Sequence, residues 1–232
     1  MLGETFAKVR ANVSAGEKQM SKIEHLISDL GFPCVGAKTA LSKNQITVVE
    51  ARDLRCPADD QMILSAVHAF VDRYERDNSL YASLIVSFGG PNPMTEDEFE
   101  GLMWAKLQAL HELDSCDYAW DPAVSADPTA ANFSLSLGGR AFYVIGLHPQ
   151  SSRKARRFAM PAIVFNLHDQ FERLRVTGDY ETMQKLVRRR DRVFSGSVNP
   201  MLADFGTHSE ARQYSGRSVE ADWNCPFRKA DA

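Results

Sequence analysis

No two of the four cysteines, Cys34, Cys56, Cys116 and Cys225, stand in a Cys-x-x-Cys pair, which argues against a zinc ribbon or a thioredoxin-type redox site. The six histidines contain no His-Glu-x-x-His or comparable multidentate spacing, so zinc chemistry is unsupported. No segment approaches the roughly 18 consecutive apolar residues of a membrane span. Met1 to Met20 mixes charges with small residues and lacks an apolar signal core, which predicts no secretory export and a cytoplasmic chain with free thiols. An excess of one charge is missing too. A formal net charge of −3 over 232 residues argues against a general nucleic-acid or anionic-membrane binder. Neither an internal repeat nor a low-complexity tract is present.

What remains is an ordinary globular composition, 44% hydrophobic and 25% charged, long enough for one substantial domain. A single domain over residues 1–232 is expected, with 1–20 as a peripheral N-terminal helix. Ser21-Lys22-Ile23-Glu24 reads as a capping box opening a short helix that Gly31 stops. Phe32-Pro33-Cys34 then reads as an extended, buried entry into the fold. Gln45–Glu50 and Leu80–Phe88 read as strands, and Asp59–Arg76 carries apolar residues at helical spacing. Thr95-Glu96-Asp97-Glu98 is a second capping box, ahead of a stripe of Phe99, Leu102, Met103, Leu107 and Leu110. Asp114–Ala131 is a long Asp/Ala/Pro loop, a lid or a plain surface loop. Asn132–Leu137 and Ala141–Ile145, joined through Gly138-Gly139, predict a β-hairpin. After a strand at Ala162–Asn166, helices are expected over His168–Val176 and Tyr180–Phe194, broken at Gly178. Strands and helices interleave without strict βαβ order. That predicts an α+β fold with a mixed or antiparallel central sheet and flanking helices.

Candidate chemistry gathers at Gly146-Leu147-His148-Pro149, where Pro149 ends a strand and leaves His148 at the sheet's rim. Arg153, Lys154, Arg156 and Arg157 follow it. An imidazole beside four cations suits an anionic or metal-containing ligand, and one imidazole holds many hemes while arginine forks match propionates. The same arginines also fit a solvated face. His148 and His168 each follow an apolar strand and could meet at one sheet edge; the alternative is that each caps its strand. His25 and His111 read as surface or boundary residues, His68 as a half-buried helix residue, and His208 as solvated. Cys225-Pro226 could present a thiolate, and Arg188-Arg189-Arg190-Asp191-Arg192 reads as a cluster of solvent pairs round a helix.

The sequence resembles the YqcI/YcgG family of bacterial proteins. The match rests on Phe32-Pro33-Cys34, Gly146-Leu147-His148-Pro149, Ser151-Ser152-Arg153, Arg156-Arg157-Phe158 and the stretch Val164 to Glu172. It continues through Asn199-Pro200-Met201-Leu202, Glu210 to Arg217, and Trp223-Asn224-Cys225-Pro226-Phe227. Before Gly138 it is loose beyond Phe-Pro-Cys. The resemblance implies a heme-dependent N-oxygenase of specialised metabolism, like members that hydroxylate a guanidine nitrogen of arginine in the D-cycloserine pathway or of enduracididine in the guanitoxin pathway. It implies heme b held by histidine, dioxygen, external electrons and L-arginine or a related amino compound as substrate. On that reading His148 is the iron ligand, with His168 second and Cys225 third; Arg153, Arg156, Arg157 and Arg217 would hold the cofactor. Glu210 and Asp204 would meet the substrate's guanidinium, with Arg212 and Tyr214 completing the catalytic set. A non-catalytic heme protein, an oxygenase of another amine, and a heme-free use of the fold are the alternatives. A homodimer is expected only from how common such assemblies are.

Overall fold

Period-two alternation in the strands decides which side chains share a face, and the resulting sheet carries two different layers. A computed structural model describes residues 20, 22–92, 94–202 and 206–229. The expected N-terminal helix over residues 1–20, Ser21 of the first capping box and Asp204 lie outside the described residues, apart from Met20.

The strands are β1 (Ile46–Ala51), β2 (Ser83–Phe88), β3 (Leu135–Leu137), β4 (Arg140–Leu147) and β5 (Ala162–Leu167). They form one sheet in the order β1-β2-β5-β4-β3. β1 and β2 run parallel, which requires the crossover that a helix supplies. Every other neighbouring pair is antiparallel. The fold is α+β with a mixed sheet, as the element order implies. Gly138 and Gly139 take φ of +60° and +70°, the left-handed pair that a tight two-residue hairpin needs between β3 and β4.

One face of the sheet carries the main core. Leu84, Val86, Phe142, Val144, Ile163 and Phe165 point into it and meet α3 (Asp60–Asp77) and α4 (Glu96–Asp114). The capping box starts α4: the Thr95 hydroxyl accepts the Glu98 N–H at 3.2 Å, and the Glu98 carboxylate accepts the Thr95 N–H at 2.7 Å. His111 is part of this core, 4% exposed against Trp120 and Phe227, rather than a surface residue. The loop after α4 is no lid. Trp120 packs on the core, and the Asp121 carboxylate accepts the Ala141 N–H at 2.8 Å.

The opposite face is covered by α1 (residues 22–28), α2 (Val35–Ser42), α5 (His168–Val176) and α6 (Asp179–Ser195). Ile23, Ile27, Phe32, Ile85, Leu147, Phe158, Ala162 and Val164 form a smaller core there. Gly178, left-handed at φ +78°, separates α5 from α6 where the sequence places the break. A short α7 (Ala211–Tyr214) follows in the tail.

Antiparallel pairing corrects one expectation directly. Leu147 pairs with Ala162 and Phe142 with Leu167, so β4 and β5 end at opposite edges of the sheet. His148 and His168 therefore cannot converge.

Candidate functional site

A cavity of about 330 Å³ separates the second sheet face from its helical cover, a size at the lower end of small-molecule sites. Its floor is Ile46 of β1, Ser83 and Ile85 of β2, Tyr143, Ile145 and Leu147 of β4, and Val164 and Asn166 of β5. These are the residues that alternate with the main core, so the strand period itself builds an apolar floor. The roof is α6. Tyr180, Met183, Gln184, Val187, Arg188 and Asp191 recur at the three- and four-residue spacing of one helix face, and all six line the cavity. Asp191 alone among the residues of α6 is fully buried. A helix that would ordinarily seat this stripe in a core presents it to a cavity instead.

Cations sit at the wall with unequal compensation. Arg153 donates to the Asp191 carboxylate at 2.6 Å and to the Ser197 carbonyl at 2.7 Å. Arg156 donates to the carbonyls of Gly146 (3.1 Å), Tyr214 (3.2 Å) and Gln213 (3.1 Å) and has no carboxylate within ion-pair distance among the described residues. Burial pulls its pKa down, as expected of a charge held by dipoles alone. Asp191 is 4% exposed, and its second oxygen, Oδ1, has no hydrogen-bond partner. The same is true of Oε1 of Gln170, 3% exposed, on the α5 side. Contrary to its reading as a solvent pair, Asp191 belongs to this site.

Glu210 enters the cavity from the tail, 5% exposed. Its Oε1 accepts the hydroxyls of Ser134 and Tyr214, both at 2.6 Å, while Oε2 makes no hydrogen bond to the described residues. Burial raises its pKa to about 7 against these two hydrogen bonds, which lower it. Tyr143 donates to the Gln213 side chain at 2.9 Å and walls the same region. His168 opens α5 at the foot of β5 and lines the cavity, its pKa lowered by burial. Cys34 caps the N-terminus of α2, its Sγ accepting the Ala37 N–H at 3.3 Å, and it too lines the cavity.

The residues expected to share a site thus divide. Arg153, Arg156, His168 and Glu210 are brought together, with Tyr214 touching Glu210 from behind. His148 is not among them. It is buried on the α4 face, stacked on Phe99 at 4.6 Å, and its Nδ1 has no partner. Cys225 packs beside Trp223 on the main core, its thiol pushed up to about 12 by burial. Arg157 ties the Ser151 and Ser152 carbonyls, Arg212 binds the Trp223 and Glu220 carbonyls, and Arg217 pairs with Glu100, Asp97 and Glu220. None of these lines the cavity. Cys34, Tyr143, Gln170 and Asp191 complete the site, and for Cys34 the signal was present in Phe32-Pro33-Cys34.

The model of the YqcI/YcgG family matches residues 23–228, nearly the whole described chain. The chain belongs to the YqcI/YcgG family. Within that family it is 26% identical over 228 residues to the Bacillus subtilis (strain 168) protein named Uncharacterized protein YcgG, an alignment covering 91% of this chain and 88% of the relative. No solved structure matches it. For this YqcI/YcgG member the matched region includes every described residue of the cavity.

Proposed function

We propose that this YqcI/YcgG protein is a cytoplasmic heme-dependent N-oxygenase that hydroxylates a guanidine nitrogen of L-arginine or a related amino acid, in specialised metabolism. The observation that carries the reading is the α6 stripe facing a largely apolar sheet across a cavity whose Arg156 has no carboxylate within ion-pair distance among the described residues. Among the described residues no helix is long and apolar enough to cross a membrane.

The donor set fits heme. The floor is largely apolar, which suits a macrocycle, and Arg156 supplies a charge that a propionate would neutralise, with Arg153 also on the wall. Cys34 and His168 are two buried or half-buried cavity side chains with a donor atom suited to iron. When bound, the heme would supply the dioxygen chemistry that no side chain here can perform.

The chain's own groups account for recognition. Oε2 of Glu210 accepts N–H groups of a guanidinium, while Ser134 and Tyr214 hold Oε1 and so fix the carboxylate plane. With a pKa about 7, Glu210 can also hold or release a proton at Oε2 near neutrality. Arg175, whose charge acts on Glu210, would meet the substrate's α-carboxylate. Val187, Ile145 and the strand floor exclude water, which strengthens each of these contacts.

The test is reconstitution of the full chain with hemin, then incubation with L-arginine, a reductant and dioxygen. A product one oxygen atom heavier than arginine is expected, with kcat/KM falling at least tenfold, or about 1.4 kcal/mol, in Glu210→Gln. Failure of the wild-type protein to take up hemin would end this reading.

A further inference from the structure

Four sulfur and imidazole side chains that can donate to iron line the cavity: Cys34, His168, Met183 and His208. His208 lies at the exposed mouth. His168 sits at the foot of β5 with its Nε2 3.8 Å from the Glu172 carboxylate. Both sulfurs lie near Gly36: a Cβ built there would stand 3.9 Å from Cys34 Sγ and 3.9 Å from Met183 Sδ.

We propose that Cys34 is the residue that ligates the heme iron, as a thiolate held at the N-terminus of α2. The assignment rests on the heme reading above. Cys34 is the N-cap of an eight-residue helix, so its sulfur occupies the place where an N-cap hydroxyl or carboxylate ordinarily accepts the orphan amides. Ala37 N–H reaches Sγ at 3.3 Å, and the Gly36 amide also favours the anion. The helix dipole adds to them in the same direction. The Arg156 guanidinium acts on the sulfur as well, and among the described residues it has no carboxylate within ion-pair distance. Burial opposes all of these, so the free chain keeps a thiol. Ligation forms one S–Fe bond and releases the thiol proton to solvent, with no change in oxidation state.

That something occupies this space has independent support. Asp191 and Gln170, each at least nine-tenths buried, line the same cavity, and each carries a buried acceptor without a partner, Oδ1 and Oε1. Leaving two buried acceptors unpaired is unfavourable, and the N–H groups of a substrate seated beside the heme, or ordered water, would resolve both.

Hemin reconstitution of the full chain separates the possibilities. Ferric electron paramagnetic resonance and the ferrous-CO absorption spectrum are recorded for wild type, Cys34→Ser and His168→Ala, with circular dichroism as the folding control. Serine is itself a preferred N-cap, so Cys34→Ser keeps α2 capped while removing the soft donor. The expected result is a thiolate-type spectrum in wild type and in His168→Ala, lost in Cys34→Ser together with at least a tenfold weaker hold on hemin. An imidazole-type spectrum that His168→Ala abolishes and Cys34→Ser leaves intact would overturn the Cys34 assignment and leave the heme reading standing. A wild-type chain that takes up no hemin would overturn both.

Discussion

At the scale of single residues, Glu210 is where burial and recognition oppose one another. Its carboxyl is removed from water and its pKa stands at about 7 in the folded chain, against an ordinary value of 4.5. The folded state therefore holds a proton that the unfolded state has given up between those two values, and stability falls as pH rises through that window. Relative to Glu210→Gln, the wild-type chain should have its full stability below about pH 4.5 and lose on the order of 3 kcal/mol by the time the group is ionised above pH 7. Urea denaturation of both proteins across that range measures the difference. Parallel stability curves for the two would show that Glu210 does not titrate there. Charge complementarity alone marked Glu210 in the sequence. His148 is singled out by its strand-end position and the arginines that follow it, and the structure places it on the α4 face, away from the cavity. Whether a strand-end side chain faces α4 or the cavity depends on which strands flank it and in which direction, and that information is not local. His148 shares the parity of Val144 and Phe142, so it lands on Phe99.

At the scale of elements, local signals were nearly sufficient for boundaries and insufficient for faces. The Thr95 capping box, the Gly138-Gly139 hairpin and the Gly178 break all lie where their short-range chemistry puts them. Helix α6 shows the limit. Its spacing reveals a stripe, yet a stripe containing Asp191 and Arg188 reads as solvent-facing until Arg153 and the sheet floor are placed beneath it. β4 shows a different non-local demand. A Cβ on Gly146 would stand 2.6 Å from Cε1 of Phe99 and 3.0 Å from Sδ of Met103, so α4 approaches the sheet closely only because this residue has no side chain. Gly146→Val should force α4 outward and lower stability by about 1–3 kcal/mol, seen as a lower urea midpoint. A variant as stable as wild type would mean that α4 can shift freely, contrary to the packing of Phe99, Met103 and Leu107 at zero exposure.

At the scale of the whole molecule, the two sheet faces differ in how completely they are closed. The α3–α4 face is a continuous core, whereas α2 and α6 rest against the other face across a cavity. Local opening free energy follows buried apolar contact, so the molecule should not open as one unit. Without a ligand, amide hydrogens of α2 and α6 should exchange faster than those of α3 and α4. Hemin filling the cavity would stabilise the folded chain by about 2.7 kcal/mol at a hundredfold excess over its Kd. Because the contacts it adds lie on one face only, the gain in protection should concentrate in α2, α6 and the β4–β5 floor. The amides of α3 and α4 already report the global reaction, so they should gain no more than the overall increase in stability. Hydrogen exchange followed by mass spectrometry, with and without hemin, resolves these segments. Equal protection of the two helical layers in the free chain would contradict the asymmetry. Protection by hemin centred on α3 and α4 would place the binding site on the face where His148 lies. The layer built around Cys34, Arg156 and Asp191 is thus expected to be both the less stable half of the fold and the half that an occupant completes.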